Sequence, residues 1–125
     1  SQSNDDPERR LAEAQEAREI VDEVVSANPE ALVVLGGDFN DTPGSDPLNA
    51  LVGDGGLQRA GAELPADQMW TYDYRGDRQA IDHLLIAPNN GGGYVESSAR
   101  TVRDANGSGL ADSDHSALLA DFELY

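Results

Sequence analysis

The chain has 125 residues, 38% of them hydrophobic, with no cysteine, two histidines and a net charge of −16. That length fits about one domain; the missing cysteine excludes a disulfide framework, thiol catalysis and thiolate metal sites, and two histidines are too few for a zinc site built mainly on imidazole. The eight basic residues are all arginine against 24 acidic ones, a balance that disfavours a passive nucleic-acid-binding module and leaves either a high-salt setting or a site where a divalent cation supplies the positive charge.

Residues 1–6 read as a polar lead-in, and Ser1–Glu8 has no secretory-signal pattern. Asp6-Pro7 reads as a helix start, with Asp at the N-cap and Pro in the first turn. Leu11, Ala14, Ala17, Val21, Val24 and Val25 step by three or four and mark a core-facing stripe, opposed by Glu13, Glu16, Glu19 and Glu23. Asn28-Pro29 stops that helix. Ala31–Leu35 is an apolar run that reads as a central strand buried on both faces. It is too short to cross a bilayer, which takes ~20 apolar residues. Gly36-Gly37 ends it. A short helix is expected at Pro47–Val52, capped by Asp46 and closed by Gly53. Asp54–Asp67 reads as loop. Trp70–Tyr74 and Gln79–Ala87 read as a hairpin turning through Arg75-Gly76-Asp77. Tyr94–Val102 and Ala117–Phe122 read as two further strands. One helix, one apolar strand and several antiparallel strands predict an α+β or α/β layered fold.

Three short acidic motifs carry the chemistry. They are Gly37-Asp38-Phe39-Asn40-Asp41 after the apolar strand, Ile81-Asp82-His83 in the hairpin's return strand, and Ser113-Asp114-His115-Ser116 before the last strand. Carboxylates and a carboxamide are hard oxygen ligands suited to Mg²⁺, Mn²⁺ or Ca²⁺. A neighbouring histidine serves as proton carrier or as donor to a charged oxygen. Taken singly, each motif also reads as an ordinary turn, a solvated strand face or a polar loop tip. Trp70, Tyr72 and Tyr74 alternate, which suits cross-strand packing and also stacking on a base or sugar. Arg75 and Arg78 suit a phosphate clamp or ion pairs with Asp73 and Asp77. His83 reads as a strand packing residue.

The ordered set resembles the C-terminal half of the endonuclease/exonuclease/phosphatase superfamily, which has the deoxyribonuclease-I-like fold. The residues that carry the resemblance are Gly37-Asp38-Phe39-Asn40, Trp70-Thr71-Tyr72 leading to Ile81-Asp82-His83-Leu84-Leu85-Ile86, and Ser113-Asp114-His115-Ser116. The resemblance runs from about Pro7 to Leu124. It implies half of a four-layered α/β sandwich, with residues 1–125 forming the C-terminal half of one domain. It further implies a Mg²⁺-dependent (or Mn²⁺- or Ca²⁺-dependent) phosphodiester hydrolase of nuclease type. The implied catalytic residues are Asp38, which aligns or deprotonates the attacking water, Asn40, which contacts the phosphate, Asp82, which orients the imidazole, and His115, which donates to a phosphoryl oxygen. Asp38, Asn40 and Asp114 are the implied metal ligands. Arg78, Trp70 and Tyr74 are the substrate-binding candidates.

The family's N-terminal half normally brings an Asn, a metal-binding Glu and a further His or Tyr, none of which has a matching motif before Pro7. The chain is therefore read as half of an enzyme: a proteolytic product, an engineered piece or one of two complementing chains. Its expected partners are the missing N-terminal half or a companion chain, a second copy in a homodimer or domain swap, and nucleic acid or another phosphodiester as substrate. The isolated chain is expected to be inactive. Two alternatives remain open: a phosphatase or phospholipid or small-ester phosphodiesterase of the same superfamily, and a non-catalytic interaction fragment. The Tyr-x-Tyr-x-Gly context before Ile81 looks more like bacterial secreted or periplasmic nuclease-like members. It lacks the Trp-Cys-Asp-Arg run of the inositol phosphatases.

Overall fold

Helix α1 covers Pro7–Ala27 and stops one residue before Asn28-Pro29. The computed structural model describes residues 7–39, 41–88, 91–104 and 114–125. Ala14 and Val21 of α1 are buried, with Ala17 and Val25 packed beside them. Val24 and Ile20 face outward, 41% and 53% exposed, so the expected stripe is narrower than its apolar spacing. Helix α2 spans Asp46–Val52. Ser45, not Asp46, is its N-cap: the Ser45 Oγ accepts from the Leu48 N–H, and the Gly53 N–H closes the helix on the Asn49 carbonyl. Arg18 ties the two helices, donating to the carbonyls of Ala50, Gly53 and Asp54 at the negative end of α2.

The helices cover one face of a three-stranded antiparallel sheet in the order β1 (Val34–Asp38), β5 (Asp82–Ile86), β2 (Gln58–Arg59). Here the sequence expectation needs correction. The apolar run does not make a central strand: β1 lies at the sheet edge, its residues mostly exposed, and β5 takes the centre. Among the described residues no strand pairs with the outer side of β1. Strand β2 lies inside the segment read as loop; two residues are too few to give an alternation.

The expected long hairpin also divides. β3 (Tyr72–Tyr74) and β4 (Asp77–Gln79) pair around Arg75-Gly76, both at positive φ, and the Asp73 side chain accepts from the Gly76 N–H. The chain then leaves β4 and joins β1 as β5, so Ile81-Asp82-His83 starts a strand of a different sheet. The last two expected strands each break in the same way. β6 (Gly92–Tyr94) pairs with β9 (Phe122–Leu124), and β7 (Arg100–Val102) pairs with β8 (Ala117–Leu119). Between the two ladders Ser97 adopts φ 66° and the Ser98 Oγ accepts from the Asp121 N–H.

Alternation along β5 gives the sheet two cores. Leu85 and the following Ala87 join Ala14, Val21, Leu51 and Leu57 under the helices. Ile86, with Leu84 packed beside it, joins Ala60, Met69 and Ala99 on the opposite face, against Tyr94, Leu118 and Phe122. Gly36 admits Leu84: a Cβ at residue 36 would lie 2.9 Å from its Cδ2. The result is an α+β layered arrangement of helices and antiparallel sheets. Among the described residues no helix is long and apolar enough to cross a membrane.

Candidate active site

The three acidic motifs lie in three separate segments of the chain, and the strand pairing brings Asp38, Asp82 and His115 together. β1 ends at Asp38 and β5 begins at Asp82, and these two are directly paired in the antiparallel register. Gly37, at φ 153°, occupies backbone that side chains rarely adopt and delivers Asp38 to the strand end. His115 arrives from the segment before β8 and forms an isolated bridge with Tyr72, its ring 5.1 Å from the Tyr72 ring. Thr71, fully buried, joins the two approaches. Its Oγ1 accepts from the N–H groups of Ile81 and Asp82 at 3.3 and 3.2 Å, and its carbonyl accepts from the Ser116 N–H at 2.8 Å.

The imidazole of His115 is the centre of the cluster. Its Nδ1 lies 2.7 Å from Asp82 Oδ2, so Nδ1–H donates to the carboxylate and the ring orientation is fixed. The other nitrogen, Nε2, lies 3.7 Å from Asp38 Oδ2 and 3.7 Å from Asp114 Oδ1. Partial burial favours the neutral ring. The Asp82 hydrogen bond and the charges of Asp82, Asp38 and Asp114 outweigh it and raise the His115 pKa above its ordinary 6.5. Ligating atoms of Asp38, Asp82 and His115 all lie within 4.8 Å of one another. Two carboxylates on directly opposed strand positions repel. A hard divalent cation suits that donor set, since two carboxylate groups can offer it oxygen.

The remaining candidates fall in different places. Asn40 and Ser113 lie outside the described residues. Asp114 adjoins the cluster with a side chain 74% exposed. Trp70, expected to meet substrate, is instead a core residue, 6% exposed, with the guanidiniums of Arg103 and Arg78 over its ring at 3.7 and 4.5 Å. Cation–π packing thus covers the ring, in keeping with the packing role that its alternation with Tyr72 and Tyr74 also allowed. Arg78 also pairs with Asp73 at 3.4 Å, one of the two alternatives its sequence position allowed. Tyr74 is in β3, and its side chain lies outside the described atoms.

Two supporting residues escaped the sequence reading. Arg103 donates to Ser116 Oγ, the Trp70 carbonyl and Thr101 Oγ1, bracing the residue after His115. Asp41, 8% exposed, accepts from Arg10 of α1 at 3.2 Å. Its position in the first motif was visible; its ion pair joins residues 31 apart and leaves no local pattern.

A layered α+β scaffold thus presents an acid–imidazole cluster at its strand ends. The family model described as "Endonuclease/Exonuclease/phosphatase family" matches residues 1–106, and the chain belongs to that family. The match covers the first two motifs and stops before Asp114 and His115, which the Tyr72 bridge and the Asp82 hydrogen bond bring to them. Comparisons with curated proteins and with solved structures give no match. Members of the family are typically hydrolases, a class that spans nucleases, phosphodiesterases and phosphatases, and they generally depend on divalent metal.

Proposed function

We propose that the chain carries the catalytic acid–imidazole cluster of a Mg²⁺- or Mn²⁺-dependent phosphodiesterase of nuclease type. The observation that carries this reading is the His115 imidazole, held at Nδ1 by Asp82 with Nε2 turned toward Asp38 and Asp114. Oxygens of Asp38 and Asp114, with Asn40 assigned by the family resemblance, are the proposed metal ligands, and Asp82 is assigned to the imidazole. A bound divalent cation would offset the carboxylate charge and polarise a phosphoryl oxygen.

The chain's own residues supply the rest. Asp38 orients the attacking water and accepts its proton. His115, whose pKa is raised by Asp82, Asp38 and Asp114 against the effect of partial burial, donates from Nε2 to a phosphoryl oxygen as negative charge develops there. Asp82 holds the ring and stabilises its charge, the role a carboxylate plays in other His–Asp pairs. Arg78, close to Trp70 and Asp73, is the proposed phosphate contact.

Residues 1–125 are proposed to form a C-terminal half that works with an N-terminal companion. The edge position of β1 supports this, because among the described residues no strand pairs with its outer side and a sheet edge can pair with a second chain segment. The test is hydrolysis of plasmid DNA and of a bis-aryl phosphodiester, with the chain alone and with the N-terminal half added. Metal-dependent cleavage of DNA by the pair, abolished by a chelator, is expected. Cleavage of small esters but not DNA would move the substrate class, and no cleavage of either by the pair would overturn the reading.

A further inference from the structure

Histidine 83 sits one residue from Asp82, yet its side chain points to the opposite face of the sheet, toward the helices. It is 1% exposed and lies on the same face as Leu85, which is fully buried. A buried imidazole costs more than a buried leucine unless its nitrogens are bonded. Only one is: His83 Nε2 lies 2.7 Å from the Asp41 carbonyl oxygen, while Nδ1 is buried without a partner among the described residues. A carbonyl only accepts, so Nε2 carries the proton and donates it. An orphaned buried nitrogen in a native protein calls for a reason.

The reason lies in what the single bond holds. Asp41 follows Asp38 by three residues. Its carboxylate is bonded to Arg10 and its carbonyl to His83. Phe39 is pinned as well: its N–H donates to the Ile81 carbonyl at 2.9 Å, and its ring lies 5.7 Å from the His83 ring. Residues 39 and 41, on either side of Asn40, are therefore fastened to residues 81 and 83, on either side of Asp82.

We infer that His83 is a positioning residue, whose Nε2–H bond to the Asp41 carbonyl sets the path of the chain after Asp38 relative to Asp82. The Ile81-Asp82-His83 tripeptide then aims both halves of the site. Asp82 orients His115 on one face of the sheet, and Ile81 and His83 hold the Asp38–Asp41 segment from the backbone and the other face. The inference rests on the proposed metal-dependent reading for its consequence, but the bond itself is testable without metal.

Two variants separate positioning from packing. His83→Leu fills the core and removes the donor. His83→Gln places an amide N–H near the position of Nε2. Each is assayed for fold by circular dichroism, for Mn²⁺ affinity by electron paramagnetic resonance, and for amide hydrogen exchange over residues 38–43 in chelator. His83→Leu is expected to stay folded, to exchange faster over 38–43 and to bind Mn²⁺ about 10–100-fold more weakly, the usual effect of losing an outer-shell partner. His83→Gln is expected to restore both to within about threefold, well inside that window. Should His83→Leu not fold, His83→Phe, which keeps a planar ring against Phe39, is read in the same way. A folded apolar variant with wild-type exchange and wild-type Mn²⁺ affinity overturns the inference, as does His83→Gln behaving like His83→Leu. Absence of Mn²⁺ binding by the wild-type chain would count against the metal reading alone, since the exchange comparison still decides the role of His83.

Discussion

Asp38 and Asp82 occupy directly opposed positions of the β1–β5 ladder, so two carboxylates share one end of one face of the sheet. Leu84 and Ile86 continue that face as apolar residues packed into the core. A fold under selection for stability alone has no use for an acidic pair at the mouth of its own core. His115 lies against both acids and relieves part of the repulsion.

Removing one charge should therefore stabilise the metal-free protein. Asp38→Asn keeps the shape and drops the like-charge contact, which is destabilising on directly opposed strand positions. Asp38→Asn is expected to melt slightly higher than wild type in chelator. In millimolar Mg²⁺ the order should reverse, because ligand binding stabilises only the protein that binds it. Calorimetric melting in the two buffers checks this, and a variant less stable than wild type in chelator would count against mutual repulsion.

His83 makes stability depend on pH. Burial, opposed by the bond to Asp41 and the charges of Asp82 and Asp41 but reinforced by Arg59, lowers its pKa below 6.5. The folded state therefore holds the neutral ring, while the unfolded chain takes up a proton as pH falls below about 6.5. Its contribution is complete above about 6.5 and is lost as pH falls through the folded value. His83→Gln removes the titration. The stability of wild type relative to His83→Gln should decline from pH 7 to pH 5 in chelator, measured by urea unfolding at each pH. A flat difference would show that the ring is not held neutral.

What could be read from the sequence divides along physical lines. Local signals were legible: Pro7 and Asn28-Pro29 bound α1, and Gly53 closes α2. The motifs at Asp38, Asp82 and Asp114–His115 stood out because their residue types and order are unusual together. Long-range relationships were not. The Ala31–Leu35 run has the composition of a central strand, but centrality depends on which strand pairs beside it, and among the described residues β1 is paired on one side only. The strand breaks at Ala80-Ile81 and at Ser97-Ser98 have no strong local breaker, since the neighbouring strands change sheets there. The role of Arg103 was equally hidden, because its partners Ser116 and Trp70 lie 13 and 33 residues away.

Arg103 should matter to stability more than its exposed neighbours do. It donates three hydrogen bonds and covers the single tryptophan, Trp70. Arg103→Ala is expected to destabilise the chain by about 2 kcal/mol, the scale of a lost charged hydrogen bond. Trp70 fluorescence should shift to the red as the ring gains water. In wild type, mononucleotides should leave that fluorescence unquenched, because the ring is covered. Quenching by a mononucleotide at concentrations that saturate catalysis would restore Trp70 to the substrate contacts.

The Asp82–His115 pair sets the sharpest catalytic expectation, to be measured in the protein combined with the proposed N-terminal half. The 2.7 Å bond from His115 Nδ1 couples the two side chains, and the role assigned to Asp82 acts through the ring. Losing a positioned donor to developing charge typically costs about 10²–10³-fold in rate. His115→Ala should lower kcat by that order with KM little changed, since the donor acts on charge that appears only in the transition state. Asp82→Asn keeps an acceptor but removes the charge that favours the imidazolium. It should lower kcat by less, and the deficit should grow with pH, because more of the ring is then neutral. Residues that act as a unit do not lose activity additively. The double variant should therefore be little slower than His115→Ala alone. Effects that multiplied fully in kcat would mean that Asp82 acts on the reaction by a route that bypasses the imidazole, and the geometry at Nδ1 would lose its catalytic meaning.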